Sequence, residues 1–243
     1  MTTLPPLRTA HPLLVRLARA MALSEAERSA ISQVTIQRAV VQADEVIVRA
    51  GDKPSNSFII TGGLACISKV AAEGRQITAF LIPGDMPDLY SLQLQTLDSD
   101  IWPITRCQLA YMPHVDLRRL CHTHPRIADE LWRDTLVTGA IHREWVVNLG
   151  QRDATSRLAH VFCEMMLRSE AAGLAQSRSC PLPLTQQDLA EATGLSLVHV
   201  NRTIQDLRGQ GLITFGQGRL TVLDWQRLVE VADFQAEYLH LQG

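Results

Sequence analysis

The chain has 243 residues, of which 46% are hydrophobic and 20% are charged, and its formal net charge at pH 7 is −2. This length allows one large domain or two smaller ones with their own hydrophobic cores. The near-neutral charge excludes a protein that binds nucleic acid through bulk basicity, so any such binding would depend on where individual arginines lie.

The N-terminal sequence MTTLPPLRTAHPLL lacks a charged start that leads into a cleavable hydrophobic segment, and no apolar run in the chain reaches membrane length. We therefore expect a cytoplasmic protein without a membrane partner. The five cysteines are odd in number, scattered, and never spaced as a CxxC pair. This pattern argues against a disulfide framework or a zinc ribbon, so buried, reduced thiols and no bound cofactor are expected.

Two short helices are predicted between His11 and Ile31, the second opening with a capping box from Ser24 to Glu27. The pattern then changes, from Val34 to about Met112, to short β-rich runs separated by turn residues. Strands this short and this regularly punctuated fold as a sandwich or a barrel. The predicted strands cover residues 45–49, 57–61, 64–70, 76–82, 102–105 and 108–112, with turns at 51–52, 62–63, 73–74 and 83–85.

A long helix is predicted from Pro125 to about Gly150, because helical periodicity continues there without a proline. Spacings of four and three residues along it form the seam of a two-stranded coiled coil, which indicates a dimer; the alternative is a helix packed only on its own β-domain. The predicted seam residues are Ala128, Trp132, Thr135, Gly139, His142, Val146 and Leu149.

The sequence after the long helix predicts a hinge at 150–152 and a new helix capped by Asp153. A loop is expected over 171–183. Thr185 and Asp188 then form a capping-box-like helix start, and Gly194 ends that helix because glycine tolerates the left-handed conformation of a sharp turn.

Two crossing helices are predicted over 185–212, because Ala190 supplies the small residue, Gly194 the turn and Val200 the β-branched residue that such a crossing needs. This spacing indicates a DNA-reading helix-turn-helix. A β-hairpin with a glycine-rich turn follows over 212–222, as expected of a wing beside a recognition helix. An amphipathic helix is predicted from Asp224 to Leu239.

The second of the two crossing helices has an outward face opposite the apolar positions Val200, Ile204 and Leu207. From this face Arg202 can reach guanine O6 and N7 bidentately, and Asn201 can pair with adenine or contact a phosphate. The alternative is an ordinary helical hairpin with a solvated arginine. The predicted DNA-contacting residues are Thr185, Gln186, Ser196, Leu197, Val198, His199, Asn201, Arg202, Gln205 and Arg219.

A β-roll, a long helix, a hinge and a winged helix-turn-helix, in this order, resemble the Crp/Fnr family of bacterial transcription regulators across nearly the whole chain. The resemblance implies an α+β fold with a β-roll of double-stranded β-helix, jelly-roll-like type. It assigns residues 1–120 to a sensor-like domain with N-terminal helices, 121–150 to a dimerisation helix and hinge, and 151–243 to the winged helix-turn-helix.

The same resemblance implies a homodimer, not an enzyme, that binds a palindromic operator in double-stranded DNA and contacts RNA polymerase. In the family a Glu and an Arg one turn apart read the bases. Arg202 keeps the second role, while Val198 stands where the Glu usually lies. A valine offers only apolar contact, so base preference is expected to differ.

The sensor region departs from relatives that bind cyclic nucleotides, which use a Gly-Glu pair for the ribose and an Arg-Ser pair for the phosphate. Gly84-Asp85 matches the first pair loosely, and Leu97-Asp98 stands in place of the second. Residues 76–105 contain four aspartates and no Lys or Arg, whereas a phosphodiester needs a cation or convergent N–H donors. We therefore expect no response to cyclic nucleotides and leave the effector unknown.

The long helix offers His142 and Arg143 on the face that closes over the effector in such relatives, although His142 is also explained as a hydrogen-bonded interfacial residue. The candidate effector pocket is therefore Gly84, Asp85, Leu97, Asp98, His142 and Arg143.

The sequence bears on two other classes of function. A β-roll enzyme of cupin type needs several histidines on its strands, but none occurs between His11 and His114. A dimeric interaction or small-ligand-binding protein whose helix-turn-helix does not bind DNA remains open. The sequence Cys121-His122-Thr123-His124 carries metal-capable side chains, but no second ligand pair at zinc spacing accompanies it, so no metal site is predicted.

Overall fold

The computed structural model describes residues 10–72 and 74–241. Residues 1–9 of the N-terminal segment, in which no leader is expected, lie outside these ranges. Glu73 of the predicted 73–74 turn also lies outside them. The described residues divide into two compact units. The first contains residues 10–65 and 81–138, and the second contains residues 66–72, 74–80 and 139–241. The fold is α+β, as predicted.

The helices carry most of the chain outside the β-rich region and are numbered in chain order. They are α1 (Pro12–Ala20), α2 (Glu25–Ser32), α3 (His114–Thr123), α4 (Pro125–Gln151), α5 (Ala154–Ala171), α6 (Gln186–Thr193), α7 (Leu197–Gly209) and α8 (Trp225–Ala232).

The strands fall into two groups, one before α3 and one after α5. They are β1 (Gln37–Val41), β2 (Asn56–Gly62), β3 (Ala65–Ala71), β4 (Gly74–Leu81), β5 (Asp100–Pro103), β6 (Cys107–Pro113), β7 (Ser179–Pro181), β8 (Ile213–Gly216) and β9 (Arg219–Val222).

The first unit is built on an antiparallel sheet with strand order β1-β6-β2. Its core lies between this sheet and the helices: Leu13 of α1, Ile31 of α2, Ile59 of β2 and Ile127 of α4 are all fully buried in one cluster. α2 begins with the predicted capping box, in which the Ser24 hydroxyl accepts from the backbone of Glu27.

The prediction of a strand at 45–49 is wrong. That segment forms only an isolated bridge between Val48 and Ile101, and the strand before β2 lies at 37–41 instead. Acidic side chains bind the backbone at the end of this segment, because Asp52 accepts from the amide of Arg49 at 2.8 Å and Asp100 accepts from that of Ala50 at 2.7 Å. Such local bonds compete with a strand ladder.

β3 and β4 are hydrogen-bonded neighbours, and residues 66–80 of this hairpin pack with the second unit. The long helix α4 agrees with its prediction. It starts directly after His124, the residue that ends α3, because a proline lacks the N–H that would continue the preceding helix.

In the second unit, α5 begins where predicted, with the Asp153 carboxylate accepting from the amide of Ser156 at 2.8 Å. Two predictions fail here. Strand β7, which pairs with β9, lies in the segment expected to be a loop. α8 ends at Ala232 rather than continuing to Leu239, because Asp233 adopts a left-handed conformation at φ 45° and the Arg152 guanidinium donates to the carbonyls of Ala232 and Asp233.

The described part of the chain contains no helix with the length and apolar character required to cross a membrane.

Candidate DNA-binding surface and sensor region

The helix-turn-helix forms through the local signals that predicted it. Thr185 and Asp188 make a reciprocal capping box at the start of α6: the amide of Asp188 donates to the Thr185 hydroxyl at 3.1 Å, and the Asp188 carboxylate accepts from the Thr185 amide at 2.8 Å. Gly194 ends α6 at φ 65°. The Ser196 hydroxyl then accepts from the amide of His199 and caps α7.

The recognition helix α7 is fixed by its apolar side. Val200 and Leu207 are fully buried and Ile204 is 2% exposed, whereas Val198 on the opposite side is 79% exposed. The helix therefore presents to solvent the side that carries Val198, Asn201 and Arg202. All the residues predicted to contact DNA are exposed: Thr185, Gln186, Ser196, Leu197, Val198, His199, Asn201, Arg202, Gln205 and Arg219.

Arg202 and Asn201 differ in how firmly they are held. The Arg202 side chain is 79% exposed, and its Nε lies 4.0 Å from the Asp206 carboxylate, a pair too open to fix the guanidinium. Asn201 donates from Nδ2 to the Gln186 side-chain carbonyl at 3.2 Å, which connects α7 to the start of α6. Arg202 thus remains available for a base edge, while Asn201 is already oriented.

The wing is a tight hairpin in which Gly216 of β8 pairs with Arg219 of β9. The two residues between them, Gln217 and Gly218, have φ of 51° and 73°, as required by the two-residue turn that matches strand twist.

A groove of about 530 Å³ lies between the wing and the end of α7. Arg208 and Arg219 line it together with the hydroxyls of Thr214 and Thr221, and its described lining contains no carboxylate. Such a groove suits the phosphates of a DNA backbone. Sequence reasoning missed Arg208, whose only signal is a basic residue in the last turn of the recognition helix.

A buried carboxylate connects α4, α5 and the C-terminal segment within the second unit. Glu164 of α5 is fully buried and accepts hydrogen bonds from three donors. These are the indole of Trp145 on α4 at 3.0 Å, the hydroxyl of Tyr238 at 2.8 Å and the guanidinium of Arg168 at 3.1 Å. Because each donor comes from a different place in the sequence, Glu164 fixes the end of α4 against the helix-turn-helix domain.

The same network continues through His160 and Arg152. The His160 ring is fully buried, and burial lowers its pKa to about 3, so it is neutral at physiological pH. Arg152, at the predicted hinge, donates to the Glu144 carboxylate at 2.8 Å.

The exposed side of α4 carries large apolar residues. Trp132 is 69% exposed, Leu136 56%, Val146 71% and Val147 45%. Trp132 and Val146 belong to the predicted coiled-coil seam. The other seam positions are exposed or half-buried: Ala128, Thr135, Gly139, His142 and Leu149.

The Gly84-Asp85 turn of the first unit is closed by its own bonds. Gly84, at φ 108°, donates to the carbonyl of Ile60 at 2.8 Å, and the Asp85 carboxylate accepts from the amide of Ile82 at 2.8 Å. One oxygen of the Asp85 carboxylate therefore already accepts a hydrogen bond from a backbone amide of the same turn.

Two arginines of α1 lie at this turn. The sequence prediction considered only the charges between residues 75 and 106 and therefore missed them. Arg16 donates to the carbonyl oxygen of Gly84 and to the Asp134 carboxylate on α4. Although burial disfavours its charge, Asp134 raises the pKa of Arg16. The Arg19 guanidinium comes within 3.7 Å of where a Cβ would stand on Gly84, and burial and the charge of Arg16 lower its pKa.

The remaining pocket candidates lie in different surroundings. Leu97 is 1% exposed, and its backbone pairs with Asp52 and Gly51. Asp98 is exposed and accepts from the Tyr90 hydroxyl; burial and Asp98 together raise the pKa of Tyr90 to about 12. His142 is half-buried and Arg143 is exposed, both on the part of α4 that belongs to the second unit.

Metal-capable side chains do not converge within residues 10–72 and 74–241, where no group of three or more His, Cys, Asp or Glu is placed to hold an ion. In the cluster at 121–124, His122 bonds the carbonyl of Arg118 and His124 bonds the hydroxyl of Thr123. Cys121 is half-buried, the other four cysteines are buried, and none of the five is in a disulfide within the described residues.

Two family models match the chain. The cyclic nucleotide-binding domain matches residues 38–124, and the Crp-like helix-turn-helix domain matches residues 156–231.

Among curated relatives, the chain is 26% identical over 211 residues to the transcriptional activator protein FnrL of Cereibacter sphaeroides, covering 85% of this chain and 84% of FnrL. It is 26% identical over 201 residues to the nitrogen fixation regulation protein FixK of Bradyrhizobium diazoefficiens, covering 81% and 82%. Among solved structures, FixK2 of Bradyrhizobium japonicum superposes with a TM-score of 0.72 at 23% identity, over 82% of this chain and 98% of FixK2. This last likeness supports the fold.

Proposed function

Since the chain belongs to the Crp/Fnr family of transcription regulators, we propose that it acts as a homodimer that binds a palindromic operator in double-stranded DNA. Regulators of this family bind DNA and typically dimerise. The observation that carries the proposal is the recognition helix, whose apolar side is buried while Val198 and Arg202 project into solvent. Such a helix fits the major groove and can contact base edges.

The roles proposed for the recognition residues follow from their exposure and chemistry. Arg202 reads a guanine, Val198 packs against a thymine methyl, and Gln205 extends the same face. Thr185 and Gln186 at the start of α6 and Arg219 on the wing contact the backbone, because helix N-termini and arginines suit phosphates. The proposed DNA-contacting surface is completed by Ser196, Leu197, His199 and Asn201.

A second copy of the chain is the proposed occupant of the exposed side of α4. Trp132 and Val146 lie two heptads apart on the predicted seam, and Leu136 and Val147 are exposed on the same helix. A two-fold axis along paired helices presents two recognition helices to successive major grooves. The half-sites should therefore lie roughly one helical turn, about 34 Å, apart.

Trp132→Glu tests the dimer. The variant should sediment as a monomer at micromolar concentration, because it puts a charge on the apolar seam. Val115→Glu is the matched control, since Val115 is 68% exposed on α3, outside the seam. A monomeric wild type, or a Trp132→Glu variant that remains dimeric, would contradict the proposal.

In this proposal residues 1–120 form the sensor-like domain, 121–150 the dimerisation helix and hinge, and 151–243 the DNA-binding domain. The DNA-bound dimer would contact RNA polymerase at the promoters it regulates.

Cyclic nucleotides are not the proposed effectors. A cyclic phosphate at the Gly84 turn would meet the carboxylate of Asp85. Arg16, the cation bonded to this turn, is already paired with Asp134. The phosphate would have to replace that pair, and its lost hydration would not be recovered. Arg19 also lies near the turn, and burial and the charge of Arg16 lower its pKa.

The test combines DNA binding and calorimetry. Sites selected in vitro from random duplexes should share a two-fold symmetric sequence, bound without added nucleotide, and cyclic AMP and cyclic GMP should give no heat of binding. Wild-type protein that selects no sequence would refute sequence-specific DNA binding. Micromolar affinity for either nucleotide, or DNA binding that requires one, would refute the second part.

A further inference from the structure

The β3–β4 hairpin carries a cation onto the helix-turn-helix. Arg75 of β4 donates from Nε to the Glu191 carboxylate on α6 at 2.6 Å, and its Nη2 lies 3.9 Å from the Asp188 carboxylate on the same helix. The adjacent Gln76 donates to the carbonyls of Glu191 at 2.7 Å and Ala192 at 3.3 Å. The hairpin is thus bonded to α6 by one charged and one uncharged side chain.

The two carboxylates lie close to the proposed path of the DNA backbone. Glu191 is five residues from Gln186, which corresponds to about 7.5 Å along α6 at 1.5 Å per residue. Gln186 stands at the exposed start of α6 and bonds Asn201 of the recognition helix. A charge at that separation is felt by a phosphate there, because the Debye length is about 8 Å at physiological ionic strength.

We propose that Arg75 tunes DNA affinity by offsetting the negative charge of Glu191 and Asp188 beside the DNA-binding surface. The inference rests on the proposed function, because it concerns the same surface. Arg75 touches no base and no phosphate; it acts through the carboxylates of α6. Because Arg75 comes from the β-rich part of the sequence, a movement of the hairpin away from α6 would uncover those carboxylates and weaken DNA binding.

The partial exposure of the pair limits the size of the effect. The Arg75 side chain is 30% exposed and that of Glu191 is 18% exposed, so solvent screens both charges. For a unit charge about 8 Å from a phosphate in each of two half-sites, we expect a change in affinity of roughly two- to fivefold that shrinks as salt is added.

Substitutions on the two sides of the pair separate electrostatics from mechanical attachment. Affinity is measured by fluorescence anisotropy on a selected site and on an unrelated duplex, at several salt concentrations. Arg75→Gln should weaken binding to both duplexes, whereas Glu191→Gln should strengthen it by a similar factor. Arg75→Lys, which keeps the charge, should bind like the wild type.

Two controls complete the design. Gln76→Ala removes the uncharged attachment and should leave affinity unchanged, and Arg106→Gln removes an exposed charge from the first unit and should do the same. Thermal unfolding of each variant shows whether it folds.

Weakening by both Arg75→Gln and Glu191→Gln would mean that the pair only positions the hairpin and would overturn the inference. An Arg75→Gln variant that binds like the wild type, or an Arg75→Lys variant as weak as Arg75→Gln, would overturn it too. Equal affinity of the wild type for selected and unrelated duplexes would refute sequence-specific binding, while the opposite signs at Arg75 and Glu191 would still support the inference. A wild type that binds no duplex would refute both.

Discussion

Replacing Arg202 by alanine should impair DNA recognition without affecting folding. The side chain is 79% exposed and lies 4.0 Å from the Asp206 carboxylate, so the free energy of unfolding should change by less than about 0.5 kcal/mol. A bidentate contact to guanine contributes roughly 1–3 kcal/mol of discrimination. A dimer loses two such contacts, about 2–6 kcal/mol, which corresponds to roughly 30-fold to 10⁴-fold in affinity for the operator.

The matched variant is Arg208→Ala, which removes the same charge from the groove beside the wing. A phosphate contact carries no sequence information, so this variant should weaken operator and unrelated DNA alike. It should also lower the slope of log affinity against log salt by about 0.9 per protomer. Competition titrations of both variants at several salt concentrations, with an operator and with the same duplex changed at the guanine, separate the two roles.

The result that would refute this reasoning is an Arg202→Ala variant that weakens both duplexes equally and lowers the salt slope as Arg208→Ala does. Arg202 would then only position the protein on the backbone. A fall in the unfolding temperature of Arg202→Ala would contradict the structure instead, because it would require a buried partner for a side chain that is largely in solvent.

Three further outcomes can be measured. Val198→Ser should relax a preference for thymine in sites selected in vitro, because it removes the apolar contact to the methyl group; an unchanged selected sequence would contradict this. Glu164→Gln should destabilise the protein to urea by about 3–5 kcal/mol, since it leaves the Arg168 guanidinium beside a neutral amide in a buried site, and a loss below 1 kcal/mol would show that water compensates the change. Burial raises the pKa of Asp88 to about 8. Between pH 4 and pH 8 the Asp88 carboxyl therefore keeps its proton in the folded state but loses it in the unfolded state, so the free energy of unfolding falls as the pH rises through this range. Asp88→Asn, which can still accept from the amide of Phe58, should remove that part of the pH dependence, and identical pH profiles of the two proteins would contradict it.

The DNA-binding half could be predicted because its signals are local. The capping box at Thr185, the left-handed turn at Gly194 and the buried spacing from Val200 to Leu207 each involve residues within two turns of one another. Propensity, capping and hydrophobic period agree there, and such agreement is what makes a segment predictable from its sequence.

The elements that were predicted wrongly depend on bonds over longer distances. Residues 45–49 read as a strand, but Asp100, fifty positions away, holds the amide of Ala50. The apolar pattern after Asp224 continues to Leu239, yet Arg152 bonds the carbonyls at the end of α8. In both segments a side chain distant in sequence occupies a backbone group, and hydrophobic periodicity carries no information about such a bond.

The charge at the sensor turn was misjudged for the same reason. Residues 76–105 contain only acidic charges, but α1 brings Arg16 and Arg19 to Gly84 from about 65 positions earlier in the chain. The prediction about cyclic nucleotides therefore no longer rests on the absence of a cation. It rests on the partners of Arg16, whose guanidinium is already shared between a carbonyl and a carboxylate.

The net charge of −2 is compatible with DNA binding because the second unit separates its charges in space. Four glutamates of this unit are paired with arginines, whereas the arginines at the recognition helix and the wing are exposed. Partners of opposite charge largely cancel each other's field beyond a Debye length, so a phosphate near α7 experiences mainly the exposed charges there, which are the arginines together with Asp206. The paired carboxylates are Glu144 with Arg152, Glu164 with Arg168, Glu170 with Arg178, and Glu191 with Arg75. Of these four pairs, that of Glu191 is the one whose cation lies on the β3–β4 hairpin, so the local field at the DNA-binding surface depends on where that hairpin is held.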